Sequence, residues 1–382
     1  MKQSKVSNNF VPERLREARM ARGLTITELA KKIGVTRQAV SQYELGHRTP
    51  NGEIIRKIYD ILEFPYAFYT NPVKTDINNN VLYRSLVNTK RQIRDMMDIR
   101  FKWLKKIYLY LENYIEFPEV NLPNIDQEDN YSEQKIENLA KELRDFWGIG
   151  LGPIKNLTRL LEKNGFIISR SAINKDIGID ACSEWHLKRP FVYLLSNKDS
   201  AVRSRFDLAH ELGHIILHTE TDIQSLNKSE LKKVEKEAYR FASAFLLPED
   251  SFPNEVLTTS LEHLISLKER WLVSIAAIVY RCDELKIFSK DQTLYIRKKL
   301  SRKRMRKSEP LDDIIKSENP VLLKQAIEML IDNNIIKKYN FIDYFNYPIR
   351  ELENISGLSK GYLNMNKNVI NFELKKKAIK DK

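Results

Sequence analysis

The run His210-Glu211-Leu212-Gly213-His214 places two imidazoles and a carboxylate within five residues. On a helix, residues four apart share a face, so both imidazoles can reach one metal ion, and the glutamate beside the first histidine points at a water on that ion. Zinc draws the pKa of such a water down towards about 7, and the carboxylate takes its proton as it attacks a carbonyl. The flanks give this helix a buried side of Phe206, Leu208, Ala209, Leu212, Ile215 and Ile216. Asp207, His210, Glu211, His214 and His218 share the other side, a cluster suited to a cleft and not to solvated surface.

A catalytic zinc needs a third protein ligand and one open position. His218 lies eight residues after His210, about 12 Å along the same helix axis, too far for both rings to join His214 on one ion. It is expected to act behind the ligands or in the packing. The better candidate is Glu235 in VEKEAYRFASAFLLPE, a helix whose inward side carries Ala238, Phe241, Ala242, Phe245 and Leu246. A carboxylate on that inward side requires a partner, which a cation supplies. Glu237 is the alternative. An electrophile beside the metal would serve the attacked carbonyl oxygen, and Tyr239 and His186 are the side chains considered for it.

Several elements must hold these groups in place. Ser204 is expected to open the metal-binding helix, which runs through His218. Lys228 or Ser229 opens the next helix, which Pro248 follows. FIISRS and RPFVYLLS are short runs of β formers and read as strands. RPFVYLLS, just before the metal helix, is expected to be the sheet edge along which an extended substrate pairs its main chain. Ser132 caps a helix bearing Ile136, Leu139, Leu143 and Trp147. Pro153 suits the first position of another helix, which ends at Gly165. Further helices are expected near 258–269 and 271–285.

RFDLAHELGHIILH followed by E-x-x-A-x-x-F-A-x-x-x-L-x-P resembles the ImmA/IrrE family of metallopeptidases, over about residues 135–285. The resemblance implies a zincin-like domain, with a small sheet packed on the HExxH helix and a second helix giving the third ligand. It implies His210 and His214 as ligands, Glu211 as catalytic base and Glu235 as third ligand, with one zinc per chain. It also implies a protein substrate, since members of the family cleave helix-turn-helix repressors and so release stress-response or mobile-element genes.

The N-terminal unit spans residues 10–69. FVPERLREARMARG reads as a helix that stops at Gly23. Thr25 or Thr27 caps a second, Thr36 caps a third that closes at Gly46, and a fourth begins near Gly52. Two short helices joined by a tight turn make a helix-turn-helix. LTITELAKKIGVTRQAVSQYELGHRTP is similar to the Xre/Cro type, including Ala30, Gly34, Val40 and Glu44 as buried positions. The resemblance implies that Arg37, Gln38 and Gln42 read bases and Thr36 meets a phosphate. Arginine suits guanine and glutamine suits adenine, because each can make paired hydrogen bonds. Arg48 and Lys57 are further phosphate candidates, and a homodimer would add specificity.

At 382 residues, 42 % hydrophobic and 30 % charged, the chain is long enough for two or three globular domains. Two cysteines, Cys182 and Cys282, are too few for a disulfide framework or a thiolate zinc site. No long apolar run or signal-type N-terminus is present, so a cytoplasmic protein is expected. A net charge of +13 favours an anionic partner. The fold class expected is α+β and predominantly α. Residues 1–70 form the helix-turn-helix domain, 71–131 a helical linker region, 132–290 the zincin-like domain and 291–382 a basic, then helical C-terminal region. NPVKTDINNN reads as a loop. A helix runs from about Arg91 to Phe117, and another covers VLLKQAIEMLIDNN. Eight of the eleven residues from Arg297 to Lys307 are Lys or Arg, suited to DNA phosphates or to a solvated linker. The whole reads as a DNA-binding zinc endopeptidase. The alternatives are a transcriptional regulator with a non-proteolytic metal or sensor domain, and a toxin or defence effector held by an antitoxin.

Overall fold

The computed structural model describes residues 9–72, 90–128, 130–171, 180–195, 200–221 and 225–364. The loop expected at NPVKTDINNN and the tail ELKKKAIKDK lie largely or wholly outside them. Five helices open the chain: α1 (Pro12–Ala21), α2 (Ile26–Ile33), α3 (Arg37–Glu44), α4 (Gly52–Leu62) and α5 (Tyr66–Thr70). Thr25 forms a capping box with Glu28, Thr36 accepts from the Ala39 amide and Asn51 from the Ile54 amide, so the starts of α2, α3 and α4 each have a side-chain acceptor. Gly34 is exposed, contrary to its expected burial. Its φ of +74° explains the residue instead, because the turn between α2 and α3 requires a left-handed cap.

Helix α6 (Arg91–Glu112) stops five residues before the expected Phe117. Asn113 Nδ2 donates to the Leu109 and Tyr110 carbonyls there, and Pro118 holds the chain before it extended. Met97, Phe101, Trp103, Leu104, Ile107 and Leu111 of α6 are buried. This helix is a core element packed between α1 and the sheet.

Helices α7 (Glu133–Phe146) and α8 (Leu157–Lys163) precede three strands, β1 (Ile167–Ser171), β2 (Ala181–His186) and β3 (Arg189–Leu195). Helix α8 starts at Asn156, whose side chain accepts from the Arg159 amide, and not at the expected Pro153. The strand order is β1-β3-β2, with β1 parallel and β2 antiparallel to β3. RPFVYLL is therefore the central strand, which corrects its expected place at the edge. Its run of apolar residues follows from burial on both faces. Strand β2 is the edge that had no clear sequence signal. Its hairpin to β3 turns on Leu187 and Lys188, both at positive φ, without the Asn or Gly that normally mark such a turn.

Side-chain alternation divides the sheet between two cores. Phe191, Tyr193, Leu195 and Cys182 face α6, the N-terminal helices and the C-terminal helices α14 (Leu322–Asp332), α15 (Lys338–Phe345) and α16 (Ile349–Ser356). Val192, Leu194 and Ala181 face α9 (Ala201–Leu217), α10 (Lys228–Leu246), α11 (Leu261–Trp271) and α12 (Ile275–Glu284). Helix α9 starts three residues before the expected Ser204. Helix α13 (Lys290–Arg302) packs on α12. Glu351 of α16 bridges Arg22, at the end of α1, and Arg100 of α6. Arg100 also donates to the Tyr193 hydroxyl of β3 (3.3 Å), so buried polar contacts run from the N-terminal helices to the sheet.

Candidate metal centre

Helices α9 and α10 approach each other closely, and Gly213 permits it. A Cβ at Gly213 would stand 3.0 Å from the Ala238 carbonyl oxygen and 3.1 Å from its Cα. Helix α10 is clamped from behind, where Arg281 of α12 makes a paired hydrogen bond to Glu137 of α7 and its Nε donates to the Leu247 carbonyl. Arg240 of α10 donates to Glu137 as well (2.7 Å). Helix α10 is thus held in place by groups that take no part in the cluster.

Their facing turns bring His210, His214 and Glu235 together, with one donor atom from each within 4.8 Å of the others. His210 Nε2 lies 3.1 Å from His214 Nε2 and 3.3 Å from Glu235 Oε2, and His214 Nε2 lies 3.5 Å from Glu235 Oε1. Tetrahedral zinc with bonds of about 2.0–2.1 Å sets its ligands about 3.3 Å apart, so the three separations suit such an ion. Two imidazole lone pairs this close repel unless a proton or a cation lies between them. The residues therefore fit a divalent metal, and the donor set of two histidines and a carboxylate suits zinc among several. Among the described residues no other group of three or more His, Cys, Asp or Glu side chains is so placed.

The two histidines are buried, whereas the Glu235 side chain is 38 % exposed. The cluster is dry on the α9 side and open beyond α10. Burial pushes His214 down to about 3, which keeps its ring neutral. Burial would raise Glu235, but hydrogen bonds and charge from His210 and His214 hold it well below the carboxylate range.

Glu237, the alternative ligand, points elsewhere. Its Oε2 meets His218 Nε2 at 2.9 Å, and its Oε1 accepts from the Tyr131 amide. His218 Nδ1 lies 3.3 Å from His214 Nδ1. The carboxylate accepts from Nε2–H of His218, so Nδ1 of His218 can accept from His214 Nδ1–H whenever His214 Nε2 turns its lone pair to a metal. A relay of this kind orients a ligand imidazole and raises its basicity.

Glu211 is fully enclosed and its carboxyl is pushed up to about 7, first by burial. Ser183 Oγ on β2 donates to its Oε2 at 2.6 Å. Sequence reasoning found neither Ser183 nor Gly213. The doubly buried run in β3 was the available signal, because a central strand needs a neighbour on each side. Tyr239 covers the outer side of His210, with ring centroids 4.3 Å apart, and is half exposed at the mouth. His186 shares the parity of Cys182 and Glu184, faces the α6 side and packs against Phe191. The structure does not bring it to the cluster.

In the N-terminal unit, Thr36, Arg37 and Gln38 stand at the start of α3 and Gln42 near its end, and all four are exposed. The Thr36 hydroxyl accepts from the Ala39 amide, and its proton stays free to donate.

Residues 175–283 match the family model described as an IrrE N-terminal-like domain, and residues 15–67 match the model described as a helix-turn-helix. The chain carries both domains, in the arrangement of the ImmA/IrrE family with an N-terminal Xre-type unit. No curated protein matches it. A solved structure, a Mycobacterium tuberculosis transcriptional regulator, shares 16 % identity over 48 % of this chain and 51 % of that one, with a TM-score of 0.29. This chain thus spans about half the length of that protein, and a likeness so slight carries no argument. The two matched domains support a DNA-binding regulatory protein with a domain of metallopeptidase type. Among the described residues no helix is long and apolar enough to cross a membrane.

Proposed function

We propose that this chain is a cytoplasmic zinc metalloendopeptidase that binds DNA through its N-terminal domain and cleaves a regulatory protein, a transcriptional repressor being the substrate class. The observation that carries this reading is the convergence of His210, His214 and Glu235 at tetrahedral ligand spacing, with Glu211 alongside. His210, His214 and Glu235 would hold one zinc. When bound, the zinc supplies Lewis acidity and makes a water acidic enough to lose a proton near neutral pH. Glu211 would take that proton as the general base. Ser183 holds the carboxylate at one oxygen, which leaves the other to act as the base. Among the described residues nothing pairs with the outer side of β2, so an extended peptide can add there main chain to main chain, passing beside Ser183.

Arg37, Gln38 and Gln42 contact base edges, and Thr36 donates to a phosphate. DNA binding then keeps the peptidase near a repressor on the same operator and raises its effective concentration. Destruction of that repressor switches on stress-response or mobile-element genes. Glu211→Gln tests the reading directly. It should keep about one zinc per chain by mass spectrometry and lose 10²–10⁴-fold in cleavage rate. His214→Ala and Glu235→Ala should lose the zinc. A regulatory output that survives Glu211→Gln intact would replace the peptidase with a non-proteolytic regulator. Cleavage of operator-bound repressor that is unchanged after removal of residues 1–70 would remove the tether.

A further inference from the structure

The basic charge of this chain is concentrated away from the helix-turn-helix. Residues 290–307 hold nine Lys or Arg and one Asp, a net +8 of the chain's +13. Residues 9–72 hold ten basic and seven acidic residues, a net +3. Seven of the eight basic side chains between 297 and 307 are exposed. Among the described residues, Arg297 with Asp283 at 3.4 Å makes the one ion pair in that run.

This ridge is built to be rigid. Thr293, Ile296 and Leu300 bury one face of α13, which leaves Leu294, Arg297, Lys298 and Arg302 outward. The Arg304 amide donates to the Ser301 carbonyl and the Met305 amide to the Leu300 carbonyl, the paired bonds of a Schellman motif. Met305 packs into the core below. The left-handed position of that motif, usually glycine, is Arg304 at φ +59°. Lys298 and Arg302, and Lys299 and Lys303, are like charges four apart, each pair mildly destabilising on a helix. The fold thus accepts backbone and electrostatic cost to hold an unneutralised cationic surface.

We propose that the C-terminal half of α13 and the turn after it form a second DNA-contacting surface, which binds the phosphate backbone without regard to sequence. Duplex DNA carries about one negative charge per 1.7 Å of axis, and a fixed row of cations gains by releasing its counterions. A membrane surface suits this helix poorly. A helix lying on lipid inserts its apolar face, and the apolar face of α13 is already buried against the protein. Leu294 and Tyr295, 51 % and 62 % exposed, are the large apolar side chains left outside, enough to pack on deoxyribose but not to anchor in a bilayer. The proposal does not depend on which bases α3 reads.

The test is binding of the full chain to a mixed-sequence duplex of about 30 base pairs, measured over a range of salt. Each lost phosphate contact lowers the slope of log K against log salt by about 0.9. The variant Arg297→Gln/Lys298→Gln/Arg302→Gln/Arg306→Gln should flatten the slope by up to about 3.6 and weaken binding at least tenfold near physiological salt. A second set, Lys303→Gln/Arg304→Gly/Lys307→Gln, should flatten it as well, and Arg304→Gly relieves the left-handed residue, so loss of folding cannot explain the result. Arg37→Ala/Gln38→Ala should leave the ridge's share of the slope intact, which separates this proposal from the reading of the N-terminal domain. A slope unchanged in both ridge variants overturns it. So does binding to phosphatidylserine vesicles that the ridge variants abolish while their DNA binding stays at the wild-type level.

Discussion

Gly213→Ala probes the contact that sets the geometry of the candidate metal centre. The added methyl would stand 3.0 Å from the Ala238 oxygen, whereas ordinary contact begins at 3.4 Å, so α10 must withdraw by about 0.4 Å. Backbone on a helix clamped through Arg281 and Glu137 has no free end to rotate away. Overpacking of this kind costs about 1–3 kcal/mol. Alanine regains about 0.5–1 kcal/mol over glycine inside a helix. The net loss of stability is about 0–2.5 kcal/mol, and the fold should survive. The ligands tolerate less. Metal–ligand distances hold to about 0.2 Å, and Glu235 sits one turn from Ala238 on the helix that moves. Zinc affinity should fall about 10–100-fold, the loss typical when the support of a ligand is disturbed. Chelator competition reads the affinity, and calorimetry of the zinc-free protein reads the stability. Wild-type affinity together with a raised melting temperature would refute the argument, because it would mean that the α9–α10 contact has slack.

Further outcomes follow from the same structure. His218→Ala should lower zinc affinity about 10–100-fold by freeing the His214 ring, and an unchanged affinity in chelator competition would dismiss the relay. Removing zinc should lower the melting temperature, since a metal present at a thousand times its Kd stabilises by about 4 kcal/mol, and a chelator without effect on melting would argue against a bound metal. Asp98 gives a pH signature outside the metal centre. Burial, then the charges of Asp95 and Glu184, raise its carboxyl from 3.8 to about 7. The folded state therefore holds this proton more tightly than the unfolded state. The stability so gained is complete below pH 3.8 and is lost as pH rises through 7. Asp98→Asn should flatten the fall in melting temperature between about pH 5 and 8, and an unchanged fall would place its origin elsewhere.

The metal helix could be read from sequence because its information is local. Residues four apart meet on any helix, so His210 and His214 converge wherever α9 sits. The caps were local too, with Thr25, Thr36, Ser132 and Pro248 all at or beside the ends of their helices. Pro153 misled, because Asn156 offered a better cap three residues later.

The residue types and their spacing determined by themselves that an HExxH helix, a glutamate-bearing partner helix and a helix-turn-helix exist in one chain. The tertiary structure decided which glutamate meets the histidines. Glu235 and Glu237 are two residues apart on one helix, hence about 200° apart around it, and only the docking of α10 on α9 through Gly213 chooses between them. It also decided that, among the described residues, β3 is central and β2 an edge. Strand order arises from pairing between distant segments, and the Leu187-Lys188 turn carries no residue type that announces it. The same long-range packing set Ser183 against Glu211 and turned His186 away, because alternation along a strand assigns faces only once the strand has been placed.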